Sequence, residues 1–239
     1  MLKVRSLSVL RHANEELVNV GLEIDRGEVT VVIGPNGSGK SLLCRAVSSS
    51  ETDYTGEVLI NHYSMKSDPE KAKLHIGYLP SDFLPEMHLT GIEYLELVGS
   101  FYQLSPKLRL ERILATAEML NCKDQLYSLN ERLPRAFHQR LGLIASLIHQ
   151  PSVLIWDDPW AFLDETAKQA SLELLDQHLE RGGCALIATN DLDLAEQVAN
   201  KLIIINDGQI MADGSLSQLL NQFKPERRTL KDLYLKLFP

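Results

Sequence analysis

The residues best suited to chemistry lie together near the start of the chain, in Gly34-Pro35-Asn36-Gly37-Ser38-Gly39-Lys40-Ser41. They fit G-x-x-x-x-G-K-[ST], a loop whose backbone N–H groups turn inward around phosphate. The glycines permit the tight curl. Lys40 brings the charge that meets the β- and γ-phosphates of a nucleoside triphosphate, and the Ser41 hydroxyl suits Mg²⁺. Leu42 extends the cradle by one more N–H at the start of a helix, where the dipole is positive. The plainer reading is a glycine-rich turn with a chance lysine, and the flanking sequence decides against it.

The flanks are a strand and a helix. Val29 to Ile33 is a short β-branched apolar run, the pattern of a buried parallel strand. Leu42, Leu43, Ala46 and Val47 then recur at helical spacing, to about Ser49. Residues 2–33 read as short strands, with a turn at Asp25-Arg26-Gly27-Glu28. Gly56 to Ile60 and Leu74 to Pro80 read as further strands. From about residue 89 to 150 the texture is helical. Thr90 caps a first helix carrying Ile92, Leu95, Leu97, Val98, Phe101 and Tyr102. Ser105-Pro106 opens a second, with Leu110, Ile113, Leu114, Ala117 and Leu120 on one face, and a third begins near Pro134.

Strands then resume. Ser152 to Trp156, Cys184 to Ala188 and Lys201 to Ile205 alternate with helices at 167–180 and through Ala195 and Val198. Asn206-Asp207-Gly208 marks a hairpin, and helices follow over 216–223 and 230–237. The expected fold is α/β, a mostly parallel sheet core with an antiparallel N-terminal β region and an inserted helical subdomain. Residues 1–223 would form one unit with the insertion at about 89–150, and 224–239 a short tail that is charged, then helical.

The chain has 239 residues, enough for such a core, and 44% of them are apolar. A net charge of −8 with no long basic run argues against nucleic acid as a partner. Cys44, Cys122 and Cys184 are scattered, which points to a reducing compartment and not to a disulfide framework or a zinc site. No run approaches the ~20 apolar residues that span a bilayer, so any membrane association would come through a partner.

Asp157 closes the strand 152–156. A phosphate-binding loop of this kind needs a second-strand aspartate to hold Mg²⁺ through water. A strand-end aspartate that caps a turn is the alternative.

With these residues on the page the chain resembles the ATP-binding subunit of an ABC transporter over nearly its whole length, a P-loop NTPase fold. The loop is similar to the family's Walker A, and Leu154-Ile155-Trp156-Asp157-Asp158-Pro159 to Walker B. Ala161-Phe162-Leu163-Asp164 is similar to the D-loop. Ile76 to Pro80 resembles the strand before the Q-loop, Asp207 to Gly214 the late hairpin, and 230–237 the tail of subunits serving small ABC-2-type exporters. The resemblance implies Mg-ATP bound at a dimer interface, a membrane-spanning partner subunit, a second cassette, identical or different, and a peripheral place on the cytoplasmic face of the membrane.

Four positions depart from the family pattern. Asp158 stands where a water-polarising glutamate is expected and is one methylene shorter, a retraction of over ~1 Å that can cost on the order of 10²-fold in rate. Ser81 replaces the Q-loop glutamine. Asn190 replaces the switch histidine and cannot carry a proton at neutral pH. Leu133-Pro134-Arg135-Ala136-Phe137 replaces Leu-Ser-Gly-Gly-Gln, either as a changed signature or as an ordinary helix start with proline in the first turn. The expected chain therefore binds Mg-ATP and hydrolyses it slowly or not at all alone. It either powers a transporter or serves as a regulatory or scaffolding switch in which turnover is incidental. A soluble DNA-repair or translation protein fits poorly with a single cassette. Arg11-His12 occupies the region where the family stacks an aromatic on adenine, and a solvated loop is the plainer reading there.

Overall fold

The computed structural model describes residues 1–11, 14–225 and 228–238. His12 and the side chain of Arg11 lie outside that description, and with them the adenine-stacking expectation.

Two sheets enclose one helix. The larger is built on β3 (Val29–Ile33), β6 (Ile76–Leu79), β7 (Val153–Asp157), β8 (Cys184–Ala188), β9 (Lys201–Asn206) and β10 (Gln209–Gly214), in the order β10-β9-β3-β8-β7-β6. All its pairings are parallel except the β9–β10 hairpin. The smaller sheet is antiparallel, β2-β1-β4-β5, from β1 (Leu2–Arg11), β2 (Asn14–Ile24), β4 (Tyr54–Ile60) and β5 (Tyr63–Ser64).

Strand alternation decides which residues serve which face. Val32, Ile155 and Leu186 point to the layer holding α1 (Lys40–Ser48), which buries Leu42, Leu43, Ala46 and Val47 against β1, β2 and β4. Val31, Leu154, Trp156 and Ile187 point the other way. There they meet α5 (Arg135–Leu147), α6 (Glu165–Glu180) and α7 (Leu192–Val198). Both faces are covered, which is why the strands read as continuous apolar runs. α8 (Leu216–Phe223) and α9 (Leu230–Leu237) follow β10, and Leu219, Leu220, Leu230 and Leu233 are buried in the same layer.

The helical insert consists of α3 (Gly91–Phe101), α4 (Pro106–Met119) and α5, with 3₁₀ turns at Asp124–Tyr127 and Asn130–Arg132. Thr90 caps α3 in a full capping box with Glu93, and Ser105 caps α4 with Pro106 at its first position.

Some expectations change. The N-terminal strands are not short: β1 and β2 run 10 and 11 residues, with the register shifting at bulges where Ser6 and Asn19 adopt positive φ. β5 and α2 (Pro69–Lys73) are too brief to leave a periodic signal. Pro134 is not in the first turn of α5. It is the cap residue, extended at ψ 161. Leu97, Phe101 and Leu110, assigned to apolar helix faces, are exposed at 46%, 73% and 40%, because the insert packs only one side of each helix.

Candidate functional site

The loop after β3 is shaped by close approach. A Cβ on Gly34 would lie 2.1 Å from the Ile205 carbonyl oxygen of β9, so only glycine fits there. Gly39 takes φ 105 and becomes the cap residue of α1, and no side chain caps that helix. Its first-turn N–H groups are thus left for an anion. The buried Ser38 hydroxyl, another polar group in the same loop, has no hydrogen-bond partner among the described residues.

Lys40 is 92% buried by exposed area, at 8% exposure. Its Nζ donates to the carbonyls of Gly34 (2.8 Å) and Pro35 (2.9 Å). Burial pushes its pKa down, while Asp157 and Asp158 pull it back up. The two carbonyls take two of the ammonium's three N–H donors and leave the third, with the charge, available to an anion.

Asp157 ends β7 and is buried. Asp158 turns the chain at φ 53, a left-handed conformation that aspartate tolerates better than most residues. Its N–H donates to the Ala188 carbonyl (2.7 Å), and its Oδ1 accepts from the Thr189 hydroxyl (3.2 Å). Burial raises the Asp158 pKa, the Thr189 bond opposes, and Asp157 adds to the rise. Asn190 Nδ2 donates to Asn36 Oδ1 (3.2 Å), tying the end of β8 to the phosphate loop.

One cleft of about 660 Å³ collects Asn36, Gly37, Gly39, Lys40, Ser41, Leu42, Asp157, Asp158, Ser81 and Asn190. Its size suits a nucleotide. Gly34, Pro35 and Ser38 do not line it. Residues that sequence reasoning did not assign to the site also line it: Glu16, Arg45, Thr189, Asp207 and Gly208. Asp207-Gly208 gave a hairpin signal. One main-chain bond ties it to the loop, Gly208 N–H to Ser38 O (3.0 Å), and a second, Val18 N–H to Gly208 O (2.9 Å), ties it to β2. Glu16 and Arg45 carry no local signal that separates them from surface charges.

Leu133 to Phe137 does not line the cleft. Phe137 is buried in the insert's core, and a Cβ on Gly91 would lie 3.1 Å from its Cζ. Arg135 is exposed, 5.0 Å from the Phe162 ring centroid. Gln139 is a supporting residue. Buried, its Nε2 donates to the carbonyls of Pro159 (2.9 Å) and Asp158 (3.3 Å), which pins α5 to the segment after β7.

A family model described as ABC transporter matches residues 17–161. The chain belongs to the ABC transporter family. It is 28% identical to the ABC-type transporter ATP-binding protein EcsA of Bacillus subtilis, over 99% of this chain and 96% of that one. It is also 28% identical to the glutamine transport ATP-binding protein GlnQ of Escherichia coli, over 95% and 96%. A solved ATP-binding subunit of an ABC transporter superposes at a TM-score of 0.93, with 27% identity and full coverage of both chains. The dimeric ATP-binding cassette MJ0796, bound to ADP and Pi, shares the fold at a TM-score of 0.81, with 23% identity over 90% of this chain and 98% of that one. The chain is thus an ABC nucleotide-binding domain, and no helix among its described residues is long and apolar enough to cross a membrane.

Proposed function

We propose that this ABC cassette binds Mg-ATP in the cleft between Gly34–Leu42 and Asp157, and hydrolyses it weakly without partners. One observation carries the reading. The cradle for phosphate is intact, whereas the groups facing it from β7 and β8 are short or uncharged and already bonded to neighbours.

The residues present fit ATP and Mg²⁺. The uncapped start of α1 and Lys40 form an anion-accepting loop. Ser41 and Asp157 would supply oxygen to Mg²⁺. When bound, Mg-ATP supplies a phosphoanhydride that water can attack. Asp158 is a carboxylate able to take a proton from that water. Its short side chain and its bond to Thr189 keep it from full reach. Asn190 can donate an amide hydrogen bond but moves no proton. Ser81 can touch a metal's water shell with its hydroxyl.

We place the cassette beside a membrane-spanning subunit, on the cytoplasmic face, paired with a second cassette. In the family arrangement each nucleotide lies between one subunit's loop and the other's signature. A homodimer would then carry each departure twice. A heterodimer with a regular subunit would divide them between two sites, so that neither site is regular. The alternative role, a regulatory or scaffolding switch, is favoured by Phe137 filling the insert's core at the signature position.

Phosphate release by the chain alone and with its copurifying membrane subunit tests the proposal. Slow release alone and faster release in the complex are expected. Transport or ATPase that survives Lys40→Ala overturns the ATP-driven reading. If Asp158→Glu with Asn190→His raises ATPase without improving transport, the switch reading holds.

A further inference from the structure

A second cleft lies at the opposite end of the larger sheet. The ATP cleft is built where β3, β7 and β8 end. The second is built where the same strands begin, from Arg26 before β3, Ser152 before β7 and Gly183 before β8. Its volume is about 480 Å³. The insert contributes Arg112 from α4, and the core contributes Arg181 from the end of α6. Among the described residues no aspartate or glutamate lines it, although the chain carries 32 acidic residues against 24 basic. The ATP cleft, by contrast, has Glu16, Asp157, Asp158 and Asp207 on its walls.

The arginines here are not accounted for by ion pairs. Among the described residues, Arg26, Arg112 and Arg181 form none. Arg112 is held in place by neutral acceptors. Its Nη1 donates to the Ile148 carbonyl (2.9 Å) and its Nη2 to Gln150 Oε1 (2.8 Å). That fixes the guanidinium plane without an ion pair. Burial and the nearby Arg181 charge push the Arg112 pKa down, with Glu111 opposing, so the two cations feel each other. Like charges gathered in a concave site destabilise one another unless an anion joins them. Planar guanidiniums match the oxygens of a phosphate. The remaining wall is mixed. Met119, Leu147 and Leu174 are apolar, and the Ser152 hydroxyl, which accepts from Asn61 Nδ2 (3.2 Å), has its own hydrogen left to donate.

We propose that this cleft binds a small phosphorylated molecule, its phosphate held between Arg112 of the insert and Arg181 of the core, separately from the ATP site. The ligand would bridge α4 and α6, so its binding would tie the insert to the core.

Calorimetric titration of the full chain carrying Lys40→Ala, with pyrophosphate as the probe, tests this. Binding to one site is expected, weakened about tenfold or more by Arg181→Gln. Arg181 also ends α6, so a lowered melting temperature in that variant shifts the decision to Arg26→Gln, where a several-fold weakening with unchanged melting is expected. Pyrophosphate binding that is equal in the parent and both variants, or absent up to millimolar probe, overturns the proposal. Sedimentation with phosphatidylcholine vesicles, with and without phosphatidic acid, separates the two sources of such a phosphate. Arg181-dependent capture on phosphatidic acid assigns it to a lipid headgroup. Pyrophosphate binding without capture assigns it to a free solute.

Discussion

The phosphate loop and the start of α5 both sit at helix beginnings, and the chain treats them differently. At α1 the cap residue is Gly39, and no side chain among the described residues caps the first turn. At α5 the cap residue is Pro134, followed by Arg135, Ala136 and the core residue Phe137. In the proposed reading the first helix start is a binding surface made from backbone, and packing requires glycine beside it as well: Gly34 lies against the Ile205 carbonyl. The second has been taken up by packing inside the insert, where an aromatic side chain fills space.

Four measurements break or sharpen that contrast. The largest effect is expected at the α5 start. Phe137→Ala should cost about 3–5 kcal/mol in a urea unfolding titration, with Mg-ATP affinity unchanged in whatever fraction stays folded. A matching loss of affinity would mean that the two helix starts are not independent. Next, Lys40→Ala should weaken Mg-ATP about 10²-fold, through loss of charge-assisted bonds worth roughly 2–3 kcal/mol, while thermal stability hardly moves. A melting temperature that drops with it would make Lys40 structural, through its bonds to Gly34 and Pro35.

Third, Asp158→Glu combined with Asn190→His should raise phosphate release about tenfold, by restoring reach and a titratable group. Unchanged release would put the limiting defect at residues 133–137 instead.

The smallest effect belongs to the seam between insert and sheet. His149 stacks on Tyr102 with centroids 3.6 Å apart, and its Nε2 lies 2.8 Å from the Ile76 carbonyl. Burial, opposed by the Ile76 bond, brings its pKa down to about 4. An unfolded histidine titrates near ~6.5, so between these values the unfolded chain holds a proton that the folded chain lacks. Stability is full above pH ~6.5 and falls as pH drops toward 4, by about 1–2 kcal/mol after allowing for partial exposure. His149→Gln should flatten that part of the melting profile. A profile that keeps its slope would place the titrating group elsewhere.

Much of this was legible before any coordinates. The five parallel strands and the helices from α3 to α9 follow from apolar runs, periodicity and caps such as Thr90 and Ser105. The loop was readable because its spacing is fixed by backbone geometry. Glu16, Thr189, Asp207 and Gly208 were not readable as site residues, because strand order places them. β9 lies beside β3, and that brings the β9–β10 turn onto Ser38. The cleft holding Arg26, Arg112 and Arg181 was invisible for the same reason, its parts being far apart in the chain and joined only by packing.

The sequence by itself determined the phosphate cradle, the buried strand ending in Asp157, the helical insertion and the resemblance to the family, since each depends on local spacing and on the period of its side chains. The tertiary structure decided the rest. It put Asp158 and Asn190 in hydrogen bonds with Thr189 and Asn36, buried Phe137, and gathered three arginines at the far end of the sheet. Those outcomes depend on which strands are neighbours and which surfaces compete for space, and no local pattern encodes either.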